Sequence, residues 1–483
     1  MFKDGVLTID HDTWKDGIAS SPYVGCGELR NADIFSKRGA LRCGFEATKE
    51  TDTLITDFVR FMRHDEDNEK VYAADDSGKL YIRSGGTWSE ALHGEGIPWS
   101  EANECQGLAL WKGYLLLAED ETLAAFDINS FWYDAWQSFA EGRRGVIDLP
   151  HVMHVGQDDV VYITDGKYIA SLQETPGETF DANDPSTYTW NSQALDLPDG
   201  YVASSLAEVG EYLVIGSYYA AALNRGNRAY LFPWNRTAAS FGIPQRTNGN
   251  GVWQTITQGN VLYTLVDRRN AKVYASNLTT LELQRELRRI SNELRLHPDA
   301  VEAIDDELLF GIGSDEEGTE NCGVYSFREG AMQLRNTVSA GDANVEIGSV
   351  LNIGEGKLLI SWTDGTNHGV DLVSDTRCDG YATVLETPLY TVGTALHPGS
   401  LQQIDVQLGK ALAEGQGVRV SYRERLGDGW TEIKAFDFAT FGAVSHMNDK
   451  TGTSDLRTIQ LKIEVTAASN STDSPELLSV TLF

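Results

Sequence analysis

Residues 149–172 read LPHVMHVGQDDVVYITDGKYIASL, three pieces in a row. A short apolar strand runs into the turn Gly156-Gln157-Asp158-Asp159. Val160–Asp165 follows, β-rich and apolar on both faces, and after Gly166 and Lys167 comes a third β-rich run. Runs of four to six β-branched, aromatic and aliphatic residues bounded by turn chemistry are strand signals, and short turns between them make antiparallel hairpins, so the stretch reads as a meander.

Seven copies fill the same three slots. Around the quoted one stand DFVRFMRHDEDN, KVYAAD and SGKLYIR (57–83); CQGLALWKG, YLLLAE and ETLAAFDI (105–128); VASSLAEVGE, YLVIGS and NRAYLFPW (202–234); VWQTITQGN, VLYTLV and AKVYASNL (252–278); AVEAIDDE, LLFGIG and CGVYSF (300–327); and GSVLNIGEG, LLISWT and HGVDLV (348–373). The period, roughly 45 to 50 residues, is that of propeller blades. One meander cannot bury both faces of its sheet, so such units stack around an axis until the ring closes. The expectation is an all-β chain: an N-terminal arm or partial outer strand over 1–50, a seven-bladed β-propeller over 51–390 and a C-terminal β-sandwich over 391–483.

The fourth, outer strand of each blade is partly solvated and weaker in pattern. TWSEAL, FWYDAWQSF, WNSQALDL, LQRELRRI and YATVLETPLY are its candidates. Leu283, Leu287, Ile290 and Leu294 are also spaced as on one face of an amphipathic helix, but their place in the repeat calls for an outer strand. Beyond about Thr391 the strands lengthen. Val418, Val420 and Tyr422 alternate with Arg419, Ser421 and Arg423, one apolar face and one polar, as in a small sandwich whose last strand ends at Phe483.

Composition narrows the classes. A hydrophobic content of 41% over 483 residues is enough for packed cores in two or three domains. No run of about 18 apolar residues occurs and the N-terminus is not that of a signal peptide, so a soluble protein without membrane insertion is expected. Cys26, Cys43, Cys105, Cys322 and Cys378 are scattered singly, which reads as reduced, buried thiols. The 71 acidic against 39 basic side chains give a formal charge of −32, which argues against a surface built to neutralise duplex phosphates and against sequence-specific nucleic-acid binding.

Motifs that carry chemistry are few. Glycoside hydrolysis needs two carboxylates flanking one bond, and here Asp and Glu are too numerous for any pair to stand out. Ser84, Gly85, Gly86, Thr87 and Trp88 match the tail of a sialidase-type turn without its aspartate, and equally suit a tryptophan packing an outer turn. Asp65, Asp67 and Glu69, and separately Asp315, Glu316 and Glu317, alternate or cluster as calcium ligands do, but lack the glycine and distant glutamate of a calcium loop. His151 and His154 sit on one inner strand and read as packed or hydrogen-bonded residues. Phe131, Trp132, Tyr133, Trp136 and Phe139 could stack on sugar rings or staple one outer strand to its neighbour. No HExxH and no GxSxG pattern is present. No catalytic, cofactor-binding or metal-binding residue is assigned.

The segment Asn31-Ala32-Asp33-Ile34, then Gly39-Ala40-Leu41-Arg42, degenerate blades, and a close on Ser474-Pro475-Glu476-Leu477 together resemble the propeller-bearing structural proteins of tailed phages and archaeal tailed viruses, of neck, nozzle or tail-tip type. That resemblance implies a non-enzymatic virion protein assembled in the host cytoplasm, touching other virion proteins and forming a homo-oligomeric ring, often of six copies. The alternative is a tip protein that binds a host surface glycan or receptor; a propeller glycosidase is a third.

Overall fold

The structure is a computed structural model and describes residues 6–18, 26–50, 54–91, 105–119, 121–127, 131–140, 150–220, 228–267, 271–287, 294–314, 321–341, 344–393 and 397–483. Strand dominates. The α-helices among these residues are the single turns His11–Trp14 and Phe438–Phe441, and no helix is long and apolar enough to cross a membrane. Two compact units emerge: one holds Met1–Thr48, Gly323–Thr337 and Val373–Phe483, the other Lys49–Cys322 and Val338–Leu372.

The second unit contains five complete four-stranded antiparallel sheets, each in plain sequence order. The first is Val59–Asp65, Lys70–Asp75, Leu80–Ser84 and Thr87–Glu90; the third is Met153–Val155, Val161–Asp165, Tyr168–Glu174 and Tyr188–Asp196. The sixth and seventh copies of the repeat supply the pairs Val301–Ile304 with Glu307–Ser314 and Glu346–Asn352 with Leu358–Thr363. Meanders of this kind are consistent with the blades of a β-propeller.

The uninterrupted apolar second strands follow from burial on both faces. In Tyr114–Ala118, Leu115 and Leu117 pack with Phe61, Tyr72 and Leu80 of the preceding sheet, while Leu116 and Ala118 pack with Met153, Val161 and Ile163 of the next. Alternate side chains thus enter alternate cores, and polar alternation disappears. The same logic joins the last copy to the first, since Val59, Met62 and Val71 share a core with Leu359 and Val370. Each first strand lies beside the first strand of the next copy, and Glu346–Asn352 lies beside Val59–Asp65. Contact there is backbone-close: a Cβ on Gly348 would stand 2.2 Å from the Val59 carbonyl oxygen. Glu50 adds to the same side, donating its N–H to Val370 O at 2.9 Å.

The weak outer-strand patterns resolve mostly as expected. Thr87–Glu90, Phe131–Ser138, Tyr188–Asp196 and Leu281–Glu286 are fourth strands. The last of these pairs with Lys272–Ser276, so the amphipathic-helix alternative is wrong there, and Leu283 is exposed; Ile290 lies outside the described residues. YATVLETPLY departs from expectation. Its strand Thr383–Glu386 belongs to the other unit, between Glu28–Arg30 and Thr458–Thr466. It is buried along its whole length, which an outer strand with one wet face is not.

In the first unit, Leu7–Asp10, Leu477–Leu482, Gly399–Leu408 and His446–Leu456 form one four-stranded sheet. A second set runs Glu28–Arg30, Thr383–Glu386, Thr458–Thr466, Gly417–Arg423 and Thr431–Asp437. The two share a core in which Ile9, Ile404, Val406 and Val480 meet Leu385, Val418, Val420 and Ile463. Val418 and Val420 face inward as the alternation predicts.

The two short phrases that frame the chain meet in this unit. Leu41 and Leu477 exchange both backbone hydrogen bonds at 2.9 Å, Ser474 Oγ accepts from Cys43 N at 2.7 Å, and Lys37 pairs with Glu476. Asp33 accepts from Arg377 Nη1 at 2.7 Å, and that guanidinium also reaches the Cys43 carbonyl at 2.8 Å and lies over the Phe45 ring.

Candidate functional site

Four first strands of the second unit, Met153–Val155, Tyr201–Val209, Val252–Gln258 and Val301–Ile304, lie side by side. They border a depression of about 590 Å³ whose polar lining includes His154, Gln157, Glu208, Thr257, Asn260 and Asp299.

Glu208 is its best-held group. The side chain is 7% exposed, pairs with Arg236, stands 3.4 Å from His154 Nε2 and accepts the Gln157 N–H at 3.0 Å. Arg236 also reaches Asp158 at 3.2 Å, and Asp158 accepts from the Tyr162 hydroxyl at 2.7 Å. Burial alone would raise the Glu208 carboxyl, but the contact with His154, the Gln157 N–H and the charge of Arg236 outweigh it and hold the group below its ordinary value. Asp299 accepts from Arg63 Nη1 at 2.6 Å and Ser349 Oγ at 2.7 Å. Both carboxylates therefore face cations that are already part of the fold. A general acid must still hold its proton near the operating pH, and Glu208 is driven the other way. What the depression offers is a shaped, hydrogen-bonding surface.

Sequence candidates fall mainly into structural duties. Gly85 and Gly86, at φ +56° and +82°, make the two-residue turn between Ser84 and Thr87, a conformation glycine adopts without cost. Trp88 there donates to Glu50 at 2.9 Å, and Arg83 grips the same carboxylate with two bonds of 2.7 Å. Asp65 caps its turn by accepting from Asn68 N at 3.2 Å and Asn68 Nδ2 at 2.8 Å. Among the described residues no group of three or more His, Cys, Asp or Glu is arranged to hold a metal ion; Asp315, Glu316 and Glu317 lie outside them. His151 is buried, stacked 4.2 Å from Phe139 and within 2.6 Å of the Thr164 carbonyl. Among the described candidates His154 alone reaches the depression. Trp136 packs against Tyr188 and Phe180, with centroids 4.8 and 5.7 Å apart, and Phe139 against Trp190 at 5.8 Å, so these two rings join neighbouring outer strands. The side chains of Phe131, Trp132 and Tyr133 lie outside the description. All five cysteines are free and buried.

Glu208, Arg236 and Asp299 escaped the sequence reading. A signal existed for Glu208, the one acidic or basic residue in Tyr201–Val209, a strand buried along nearly all its length.

In the first unit a cleft of about 440 Å³ is lined by Tyr381, Phe438, Gln416 and the carboxylates Asp379, Glu414 and Asp437. Arg419 lies over the Tyr381 ring at 4.0 Å.

No protein-family model and no curated protein matches this chain. Among solved structures it is similar to the Myceliophteria thermophila Cps50 (Swd1) β-propeller domain, at 13% identity and TM-score 0.44 over 67% of this chain and 99% of that one. A structure of YCF48 bound to D1 peptide is similar at 10% identity and TM-score 0.44, over 71% and 96% of the two chains. The Dos1 propeller is similar at 14% identity and TM-score 0.42, over 69% and 95%.

Proposed function

We propose that this chain is a non-catalytic assembly protein: a seven-bladed β-propeller joined to a β-sandwich, acting through protein–protein contacts as a neck, nozzle or tail-tip component of a tailed-virus virion. The observation that carries the non-catalytic part is the state of the depression, where Glu208 and Asp299 are each engaged by an arginine of the fold. Seven blades are supported by the seven sequence copies and by the side-by-side order of their first strands, the last beside the first. The sandwich is supported by the core shared between the two strand sets of the first unit. The virion assignment rests on the resemblance of the framing phrases, and the buried bonds between them give those phrases a physical reason to occur together.

Mass measurement in solution, with low-resolution imaging at low and high salt, tests the reading. A closed ring with an axial opening is the expected result. A monomer at every salt that also turns over a glycoside overturns it.

A glycan- or receptor-binding role at the virion tip is the second reading, favoured by the Tyr381 cleft, where an aromatic ring and three carboxylates offer a stacking face and hydroxyl acceptors. Binding to a panel of surface glycans, lost in Tyr381→Ala, is the measurement; equal binding by both proteins removes the cleft from consideration.

A further inference from the structure

We infer that the depression bordered by Met153–Val155, Tyr201–Val209, Val252–Gln258 and Val301–Ile304 is a binding site for a neutral saccharide. The inference goes beyond the assembly reading, and the site shares no residue with the Tyr381 cleft.

Thr255 carries the inference. Its side chain lines the depression, is 6% exposed, and its hydroxyl has no hydrogen-bond partner among the described residues. Side chains two positions apart on a strand share a face, so Thr257 is the direct comparison. Thr257 Oγ1 donates to the Glu208 carbonyl at 2.6 Å, and on the adjacent strand the buried Thr264 hydroxyl donates to the Gln254 carbonyl at 3.1 Å. Thr255 Oγ1 finds no such acceptor. Buried polar groups are as a rule paired, and one left alone costs free energy that a ligand hydroxyl bonded to it would recover. A second buried atom of the lining, His154 Nε2, has only the 3.4 Å approach to Glu208.

The rest of the lining sets the chemistry of the ligand. Gln157 and Asn260 are exposed and Thr257 is half-buried, and these amides and hydroxyl both donate and accept without carrying charge. The two carboxylates are already taken, Glu208 by Arg236 and the Gln157 N–H, Asp299 by Arg63 and Ser349. An anion would meet those carboxylates on a lining that includes no lysine or arginine, and a cation would have to displace arginines held by the fold. A sugar hydroxyl donates and accepts at once, which matches a threonine hydroxyl and two side-chain amides. Met153, Ile256, Pro298 and Val301 add apolar surface for the C–H face of a sugar ring. The volume of about 590 Å³ falls within the roughly 300–1,000 Å³ of small-ligand sites.

The test titrates the full chain with the methyl glycosides of glucose, galactose, mannose and N-acetylglucosamine, and with glucuronic acid and glucosamine as charged counterparts, to about 20 mM by ligand-observed NMR. Expected is binding of at least one neutral glycoside, with the charged sugars weaker by about tenfold or more. Thr255→Val keeps the shape of the side chain and removes the unpaired hydroxyl, so it should melt no lower than the wild type and yet bind the glycoside about fivefold more weakly, the worth of one neutral hydrogen bond. Thr255→Ser, which keeps the hydroxyl, should bind as the wild type does. Asn260→Ala, in an exposed turn, should also weaken binding and keeps the test alive should Thr255→Val fail to fold. A wild-type chain that binds none of the glycosides, or binding unchanged in every folded variant, overturns the site; a charged sugar bound as tightly as the neutral ones overturns its assigned class. Each of these failures leaves the assembly reading and the Tyr381 cleft standing, since mass measurement and Tyr381→Ala report on those separately.

Discussion

Replacing Asp33 by alanine leaves the Arg377 guanidinium in place with its partner gone. The pair is nearly dry, with side-chain exposures of 10% and 7%, and Asp33 also accepts from Ser36 N at 2.9 Å, Ser36 Oγ at 2.5 Å and Phe35 N at 3.3 Å. Arg377 keeps only the Cys43 carbonyl and the Phe45 ring. Breaking a buried ion pair by removing one partner costs about 3–5 kcal/mol, mostly the penalty of an uncompensated charge. Asp33→Ala should therefore lose that amount in urea denaturation followed through Trp14, which is fully buried in the core of the same unit. Replacing both partners, Asp33→Ala with Arg377→Met, should recover part of the loss, since no lone charge remains. Burial would raise the Asp33 carboxyl, but the bonds from Ser36 and Arg377 outweigh it and hold it below the ordinary value of 3.8. The stabilisation is then fully present above that value and disappears as pH falls through the lower folded-state pKa, so the gap between wild type and Asp33→Ala should close only in that acid range. A loss under about 0.5 kcal/mol, or a gap that ignores acid, refutes the reasoning.

Other outcomes follow from the same geometry. Gly348→Ala sets a methyl against the Val59 carbonyl where the last and first copies touch, and should cost about 1–3 kcal/mol in denaturant titration. Asp371 accepts from Trp362 Nε1 at 2.7 Å and from Ser339 N and Oγ at 2.7 and 2.6 Å, and burial raises its carboxyl against those bonds. Stability should accordingly fall as pH rises from 3.8 through the raised folded-state pKa, a slope missing in Asp371→Asn and read by melting at stepped pH. Glu208→Ala leaves Arg236 with Asp158 and the Glu211 carbonyl and should cost about 2–4 kcal/mol by the same denaturant assay. Burial pushes the thiols of Cys105 and Cys322 up to about 12 and about 11, so native protein should resist alkylation near neutral pH, with reaction of all five cysteines seen by mass only after unfolding.

The parts of this molecule legible in sequence are those governed by neighbours along the chain. Runs such as Tyr114–Ala118 had to be buried on two faces because no polar residue alternates in them, and turns such as Ser84–Thr87 announced themselves by paired glycines. Pairings between distant segments were not legible. Arg63 meets Asp299 across 236 residues and Glu208 meets Arg236 across 28, and nothing local distinguishes these carboxylates from the many that only solvate the surface. Thr383–Glu386 misled for the same reason. Its apolar pattern shows that it is a strand, but the identity of its partners, Glu28–Arg30 and Thr458–Thr466, is a matter of topology.

The edge pairing of Leu7–Asp10 with Leu477–Leu482 sets a clock on biosynthesis. Thr8 and Thr481 touch across 473 residues, so at ribosomal rates of about 5–20 residues per second the opening strand waits roughly 25–95 s for its partner to be made. Throughout that interval Leu7 and Ile9, destined for a dry core, have no sheet to join. The five sheets from Val59 to Glu286 have no such wait, because every strand in them is followed soon by its partner. A chain interrupted before Leu477 would carry finished meanders and an unsealed first unit, a form that proteases and chaperones can tell from the completed protein.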